Sequence, residues 1–190
     1  MKLGLFGGSF DPVHIGHLLV AQAASEELAL DRVFFIPTAQ SPFKPASAPA
    51  PAAERLRLLR LALAGQSACE VDDQEIRRGG VSYTVDTVRQ YAGRFPGAAL
   101  YCLVGADQAP QLHLWREAAS LAALVEFLVI PRPGEPPAAL PPHFRGRALR
   151  GFPIAISSSQ IRQRIKSGAS ISSLVPPAVE EAIRNNRLYF

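Results

Sequence analysis

Four short runs of this chain are apolar almost from end to end, without the alternation expected of a strand that has one wet face. They are Lys2–Phe6, Asp31–Ile36 (DRVFFI), Ala98–Val104 (AALYCLV) and Leu124–Ile130. Strands of that kind are buried on both faces, as in parallel sheets covered by helices. The intervening segments have the matching character. From His14 onward, Ile15, Leu18, Leu19 and Ala23 fall near helical spacing. Ala53–Ala64, closed by Gly65, reads as a helix, and so does Thr84–Phe95, with Val85, Val88, Ala92 and Phe95 on one face. Further helices are expected over Ser157–Lys166, closed by Gly168, and over Pro177–Asn186, which starts on a proline. Cys69–Val71 reads as a short strand, and a weaker one is expected near Ala148–Phe152. Strands alternating with helices predict an α/β fold, doubly wound around a mostly parallel sheet, in a single domain over residues 1–190.

The remaining stretches narrow the class. Residues 37–53 are rich in Pro, Ala and Ser and longer than an ordinary connection, which makes them a candidate lid. Pro131–Pro142 holds six prolines and reads as a surface loop. A hydrophobic fraction of 48% beside a charged fraction of 19% is that of a globular chain, not a disordered one. The two cysteines, Cys69 and Cys102, each sit in a strand-like apolar stretch. Free buried thiols in a reducing compartment are therefore expected. The apolar start is too short for a signal peptide, and no run approaches the ~18 residues of a membrane span. A cytoplasmic location is the expectation. The net charge of +4 suits a small anionic ligand and is compatible with weak nucleic-acid binding.

The chemistry concentrates where the first strand gives way to the first helix, in Gly7-Gly8-Ser9-Phe10-Asp11-Pro12-Val13-His14-Ile15-Gly16-His17. Two glycines let the backbone approach a ligand closely, and exposed N–H groups bind phosphate oxygens. The helix that follows turns its positive end to the same place. His14 and His17, three apart, both point from the first turn toward that pocket. An imidazole donates to phosphate oxygens, and when protonated it holds negative charge. The segment is neither the dinucleotide fingerprint nor a P-loop, since it lacks Gly-x-Gly-x-x-Gly and a terminal Gly-Lys-Ser/Thr. Half a zinc site is the other reading of the two histidines, but no Cys/His pair is placed to complete it.

His14-Ile15-Gly16-His17 resembles the His-x-Gly-His hallmark of the nucleotidyltransferase superfamily. The wider pattern, from Gly7 to His17, is similar to that of the bacterial nicotinate-nucleotide adenylyltransferases. The likeness continues through Gly80-Val81-Ser82-Tyr83-Thr84, Gly105-Ala106-Asp107, Trp115 and Ile156-Ser157-Ser158-Ser159-x-Ile161-Arg162. The resemblance implies a Rossmann-like nucleotidyltransferase fold and adenylyl transfer from ATP to nicotinate mononucleotide, with Mg²⁺ accompanying the ATP. It also implies catalytic roles for His14 and His17. Gly7, Gly8, Ser9, Phe10, Lys44, Gly105, Asp107, Ser158 and Arg162 would bind ATP and its phosphates. Ser82, Tyr83, Thr84 and Trp115 would bind the mononucleotide. In the family a basic residue of the loop often follows Pro-Pro-His; here Ser41-Pro42-Phe43 precedes Lys44.

The residues themselves support several of these assignments. Asp107 follows a buried strand, at the crevice where open parallel sheets bind ligands, and can accept from ribose hydroxyls. Alternatively it caps the next helix. Ser157-Ser158-Ser159 opens a helix whose N-terminus either aims at phosphates, with Arg162, or is simply serine-capped. Trp115 offers a pyridinium ring a cation–π face. Near Tyr83, backbone N–H groups and the Thr84 hydroxyl offer donors to a carboxylate. His113 and His143 read as surface residues. The competing functions are another transferase of the superfamily with a different acceptor, and a nucleotide-sensing or nucleic-acid-binding module without turnover.

Overall fold

The computed structural model describes residues 1–43, 49–134, 139–152 and 154–190. The strands are β1 (Lys2–Gly8), β2 (Arg32–Pro37), β3 (Cys69–Val71), β4 (Ala99–Gly105), β5 (Glu126–Ile130) and β6 (Gly146–Ala148). The helices are α1 (Ile15–Leu28), α2 (Ala52–Ala62), α3 (Gln74–Arg78), α4 (Thr84–Arg94), α5 (Ala118–Leu124), α6 (Ser158–Lys166) and α7 (Pro177–Asn185), with a 3₁₀ turn at Ala109–Leu114. The strands make one sheet in the order β3-β2-β1-β4-β5-β6, and each pairing is parallel.

The apolar runs are explained by the two cores they feed. Along each central strand, neighbouring side chains go to opposite faces. Phe6, Val33, Phe35, Leu103 and Leu128 join one core, with residues of α1, α2, α6 and α7. Leu5, Phe34, Ile36, Cys102, Val104, Phe127 and Val129 join the other, with α4, α5 and the 3₁₀ turn. No helix among the described residues is long and apolar enough to cross a membrane.

The connections leaving β1 and β4 run in opposite directions along the sheet, since β1 is followed by β2 on one side and β4 by β5 on the other. That reversal opens a crevice past the strands' carboxyl ends. Gly7 and Gly8 end β1, and Gly105 ends β4, so all three lie at this crevice.

The expected weak strand is displaced to Gly146–Ala148, paired with Phe127–Val129. Its three residues are exposed, so hydrophobic patterning carries no sign of it. Glycine is required there, because a Cβ on Gly146 would stand 2.0 Å from the Phe127 carbonyl oxygen. The start of the expected Leu124–Ile130 strand is instead the last residue of α5, an Ala-rich helix that merges with β5 in apolar character.

One buried cation fixes the loops around the crevice. Arg55 of α2 is 1% exposed. Its Nη1 donates to the Ser9 carbonyl at 2.7 Å, Nη2 to that of Thr38 at 2.8 Å, and Nε to that of Ala50 at 3.0 Å. The loop after β1, the end of β2 and the segment entering α2 are thereby tied to one side chain. Burial lowers the Arg55 pKa from its usual value, and the Asp11 carboxylate acts in the opposite direction. Replacing Arg55 by Met leaves three carbonyls without a donor. We expect Arg55→Met to lower the unfolding free energy by about 2–4 kcal/mol in urea titrations. A loss below about 0.5 kcal/mol, the scale of an ordinary surface substitution, would contradict this role.

Candidate active site

The loop after β1 is built around Phe10. This residue adopts a left-handed backbone (φ 46°) although it is not glycine, an arrangement held only by surrounding packing. Its ring is buried, 5.4 Å from that of Phe6, 5.6 Å from Phe35 and 4.9 Å from His17. Phe10's side chain therefore anchors the loop. The anchoring leaves Gly7 exposed, with nothing within 4 Å of the place a Cβ would take. A ligand can reach that backbone.

His14 precedes α1 in extended conformation, and His17 stands one turn on. The two imidazoles stack, with centroids 3.7 Å apart and planes at 24°. Gly16 makes room for them, since a Cβ there would sit 3.0 Å from His14 Nδ1. The His14 backbone N–H donates to His17 Nδ1 at 3.2 Å. That contact makes Nδ1 the acceptor and puts the proton of neutral His17 on Nε2. Burial lowers His14 to about 4, and it lowers His17 well below its usual value, with a further contribution from His14. Both rings are neutral near pH 7 without a ligand. His14 Nδ1 is buried and has no hydrogen-bond partner among the described residues.

The carboxyl-terminal part of the chain closes on the same loop. Ser157 caps α6, accepting from the Gln160 N–H, while Gln160 Oε1 accepts from the Ser157 N–H. Ser158 Oγ donates to the Pro12 carbonyl at 2.8 Å, and Arg162 Nη1 donates to the Asp11 carbonyl at 2.7 Å. Ile161 and Ile165 form the buried face of α6, as their spacing requires. Arg164 points elsewhere and donates to the Ser170 carbonyl. Asp11 ties these parts together: its Oδ1 accepts from the Ala50 N–H at 3.1 Å and from the Tyr189 hydroxyl at 2.8 Å. Asp11, Arg55 and Tyr189 are site residues that motif reading passes over.

On the other side of the crevice, Asp107 is exposed beyond β4 and pairs with Arg132 at 3.0 Å. It is not a helix cap, for Gln108 takes that position before the 3₁₀ turn. Trp115 is half-buried, its ring 6.5 Å from that of Phe127 and 5.6 Å from that of Phe43. Tyr83 precedes α4, and among the described residues no side chain caps the helix's leading N–H groups. The Arg116 guanidinium lies over the Tyr83 ring at 4.5 Å. Ser82 is buried, and its hydroxyl accepts from the Ala39 N–H, so it secures the candidate lid's first residues. Lys44 lies outside the described residues. His113 and His143 are exposed.

These groups face one cleft of about 1110 Å³, lined by Gly7, His17, Asp107, Trp115, Thr84 and Arg162 among others. That volume suits a ligand as large as a dinucleotide. Stacked neutral imidazoles, an accessible glycine backbone and a helix N-terminus can together receive phosphates. A separate aromatic wall with an uncapped helix start can receive a flat ring bearing an acid. Among the described residues, no group of three or more His, Cys, Asp or Glu side chains is placed to hold a metal ion.

Known proteins resemble this chain in sequence and in fold. The family model described as cytidylyltransferase-like matches residues 5–164. A protein of Opitutus terrae, named "Probable nicotinate-nucleotide adenylyltransferase", is 44% identical over 100% of this chain and 98% of its own. One of Pelobacter propionicus with the same name is 39% identical, again over 100% of this chain and 98% of its own. The fold is similar to that of a Plasmodium falciparum nicotinic acid mononucleotide adenylyltransferase complexed with NaAD. That likeness has a TM-score of 0.82 at 18% identity, over 99% of this chain and 97% of the other.

The lowered histidine pKa values make stability depend on pH with a definite sign. Above about pH 6.5, an ordinary histidine's value, the pair is neutral in folded and unfolded chain alike. As pH falls from there toward about 4, the unfolded chain takes up protons that folded His14 refuses. Stability is therefore present at neutral pH and lost across that window. His14→Asn should flatten the dependence by up to about 3 kcal/mol between the two limits, measured by urea unfolding at several pH values. An unchanged slope would contradict the neutral pair.

Proposed function

We propose the reaction from family and site together: the chain belongs to the nicotinate-nucleotide adenylyltransferases of the cytidylyltransferase-like family, and it transfers the adenylyl group of ATP to nicotinate mononucleotide. The products are deamido-NAD and pyrophosphate, a step of NAD biosynthesis. The observation that carries the reading is the stacked His14–His17 pair beside Gly7-Gly8 and facing α6.

In this reaction a phosphate oxygen of the mononucleotide attacks the α-phosphorus of ATP in line, and pyrophosphate leaves. The enzyme needs no nucleophile of its own, so catalysis is positioning and stabilisation of charge. His17 donates through Nε2–H to the phosphoryl oxygens. An arriving polyphosphate favours the protonated imidazoles, so the pair takes up a proton as charge arrives. Gly7, Gly8, Ser9 and Phe10 form the backbone cradle. Ser158 and Arg162, which bind loop carbonyls in the free protein, orient the loop and meet the phosphates beside it. Asp107 accepts from the ribose, with Gly105 allowing close approach. Mg²⁺ accompanying the ATP would be held mostly by phosphate oxygens and water and would offset their charge. The pyridine ring stacks on Trp115, and its acid accepts from N–H groups and the hydroxyl at Tyr83 and Thr84. The free thiols Cys69 and Cys102 suit a cytoplasmic setting.

A carboxylate only accepts hydrogen bonds, whereas a carboxamide turns an NH₂ toward the same donors at a cost of ~1–3 kcal/mol per mismatch. The assay is pyrophosphate release from ATP with each mononucleotide. We expect kcat/KM to favour nicotinate over nicotinamide mononucleotide by about 10- to 150-fold or more. Equal values would remove the substrate assignment and leave adenylyl transfer standing.

His17→Ala should lower kcat by about 10²-fold or more while ATP still binds. Near-normal turnover by the folded variant would take His17 out of the mechanism. Arg162→Ala should weaken ATP binding, turnover or both, and Arg164→Ala should do neither. Equal losses in the two would mean that the other face of α6 meets the phosphates.

A further inference from the structure

Arg116 follows Trp115 directly and lines the same cleft, together with Tyr83 and Thr84. Its side chain is half exposed, so a ligand can reach it. Its guanidinium carbon lies 4.5 Å from the centroid of the Tyr83 ring. Attraction to that ring face holds the cation in place and leaves most of its N–H donors for another partner. Two carboxylates stand near it, but neither is within hydrogen-bond distance. Nη1 is 4.0 Å from Asp86 Oδ2, and Nε is 3.9 Å from Glu117 Oε1. Both Glu117 oxygens accept from Arg89 instead.

The other groups on this wall separate acid from amide only in part. The Trp115 face stacks alike on both pyridine rings. A carboxamide can still offer its one oxygen to the N–H groups at Tyr83 and Thr84. Of Tyr83, Thr84, Trp115 and Arg116, the arginine alone carries a full charge. A full charge reads the one difference between the two acceptors, since the carboxylate is an anion and the carboxamide is not. The pyridinium charge is common to both, so its repulsion of Arg116 cancels in their ratio.

We propose that Arg116, held on the Tyr83 ring, pairs with the carboxylate of the acceptor's pyridine ring and so determines the choice of acid over amide. The inference rests on the reading above, in which the ring stacks on Trp115 with its acid at the start of α4. In that reading the phosphates lie between the histidine pair and α6, so a guanidinium beside Trp115 meets the ring and not them. The planar fork of N–H groups matches the two oxygens of a carboxylate. The ligand's acid thus gives Arg116 a direct partner in place of two distant ones.

The test is kcat/KM for nicotinate and for nicotinamide mononucleotide, in the unaltered enzyme and in Arg116→Gln and Arg116→Met. Both variants drop the charge, and Met keeps an apolar stem over Tyr83. The side chain is half exposed, so neither change removes core packing. In each variant the ratio of acid to amide should fall at least about fivefold, the lower end for a charge-assisted bond at a partly exposed site. The loss should appear as a higher KM for nicotinate mononucleotide, with the nicotinamide form and ATP little changed. A merely structural role, or a contact with the phosphate, would impair both mononucleotides together and leave the ratio unmoved. An unmoved ratio in either folded variant overturns the role of Arg116 and leaves the substrate reading standing. Equal kcat/KM for the two mononucleotides in the unaltered enzyme would overturn that reading and this inference with it.

Discussion

A guanidinium shut away from water must have its N–H groups answered, and Arg55 has them answered by carbonyls of three separate segments. Ser9 belongs to the loop that carries the glycines, Thr38 to the end of β2 and Ala50 to the approach to α2. Their shared donor converts three loops into one rigid wall, and the left-handed Phe10 keeps its strained backbone inside that wall. Asp11 extends the wall toward the C-terminus, through Tyr189 and Arg162. The active-site loop is thus held by α2, α6 and the last residues of the chain. It is not held by its own turn.

The electrostatics follow from the same enclosure. Two imidazoles in van der Waals contact and out of water stay neutral until a polyanion arrives. Two arginines at the cleft are already engaged, Arg162 with the Asp11 carbonyl and Arg132 with Asp107. Partnering these two cations limits unpaired positive charge at the cleft and holds their donors in fixed positions for an arriving phosphate. Chemistry that proceeds by direct displacement asks for little else.

Much of this was legible in the chain itself. Unbroken apolar runs fit strands covered on both faces, and the two cores divide them by alternate residues. The segment from Gly7 to His17 announced phosphate chemistry because strand, glycines and helix start occur in the order that chemistry requires. Arg55 was overlooked although its position is informative: it precedes Leu58 and Leu59 by three and four residues, on the buried face of α2. Arginines on a helix are usually solvated, and that habit hides the exception. The link from Asp11 to Tyr189 spans 178 residues and leaves no local trace. Ser82 lines the cleft, and its hydroxyl also accepts from the Ala39 N–H, a partner that only the tertiary fold supplies. The β6 strand is exposed and so lacks the one signal that marked the others.

The central claim is a division of the cleft: phosphates between the histidine pair and α6, and the pyridine ring between Trp115 and the start of α4. A crystal structure with the dinucleotide product tests it most directly. The account predicts the diphosphate within hydrogen-bond reach of His17 Nε2 and the Gly7-Gly8 backbone, the ring stacked on Trp115, and its carboxylate on the N–H groups at Tyr83 and Thr84. A ring bound at the Asp107 end, with the diphosphate away from both histidines, would contradict it.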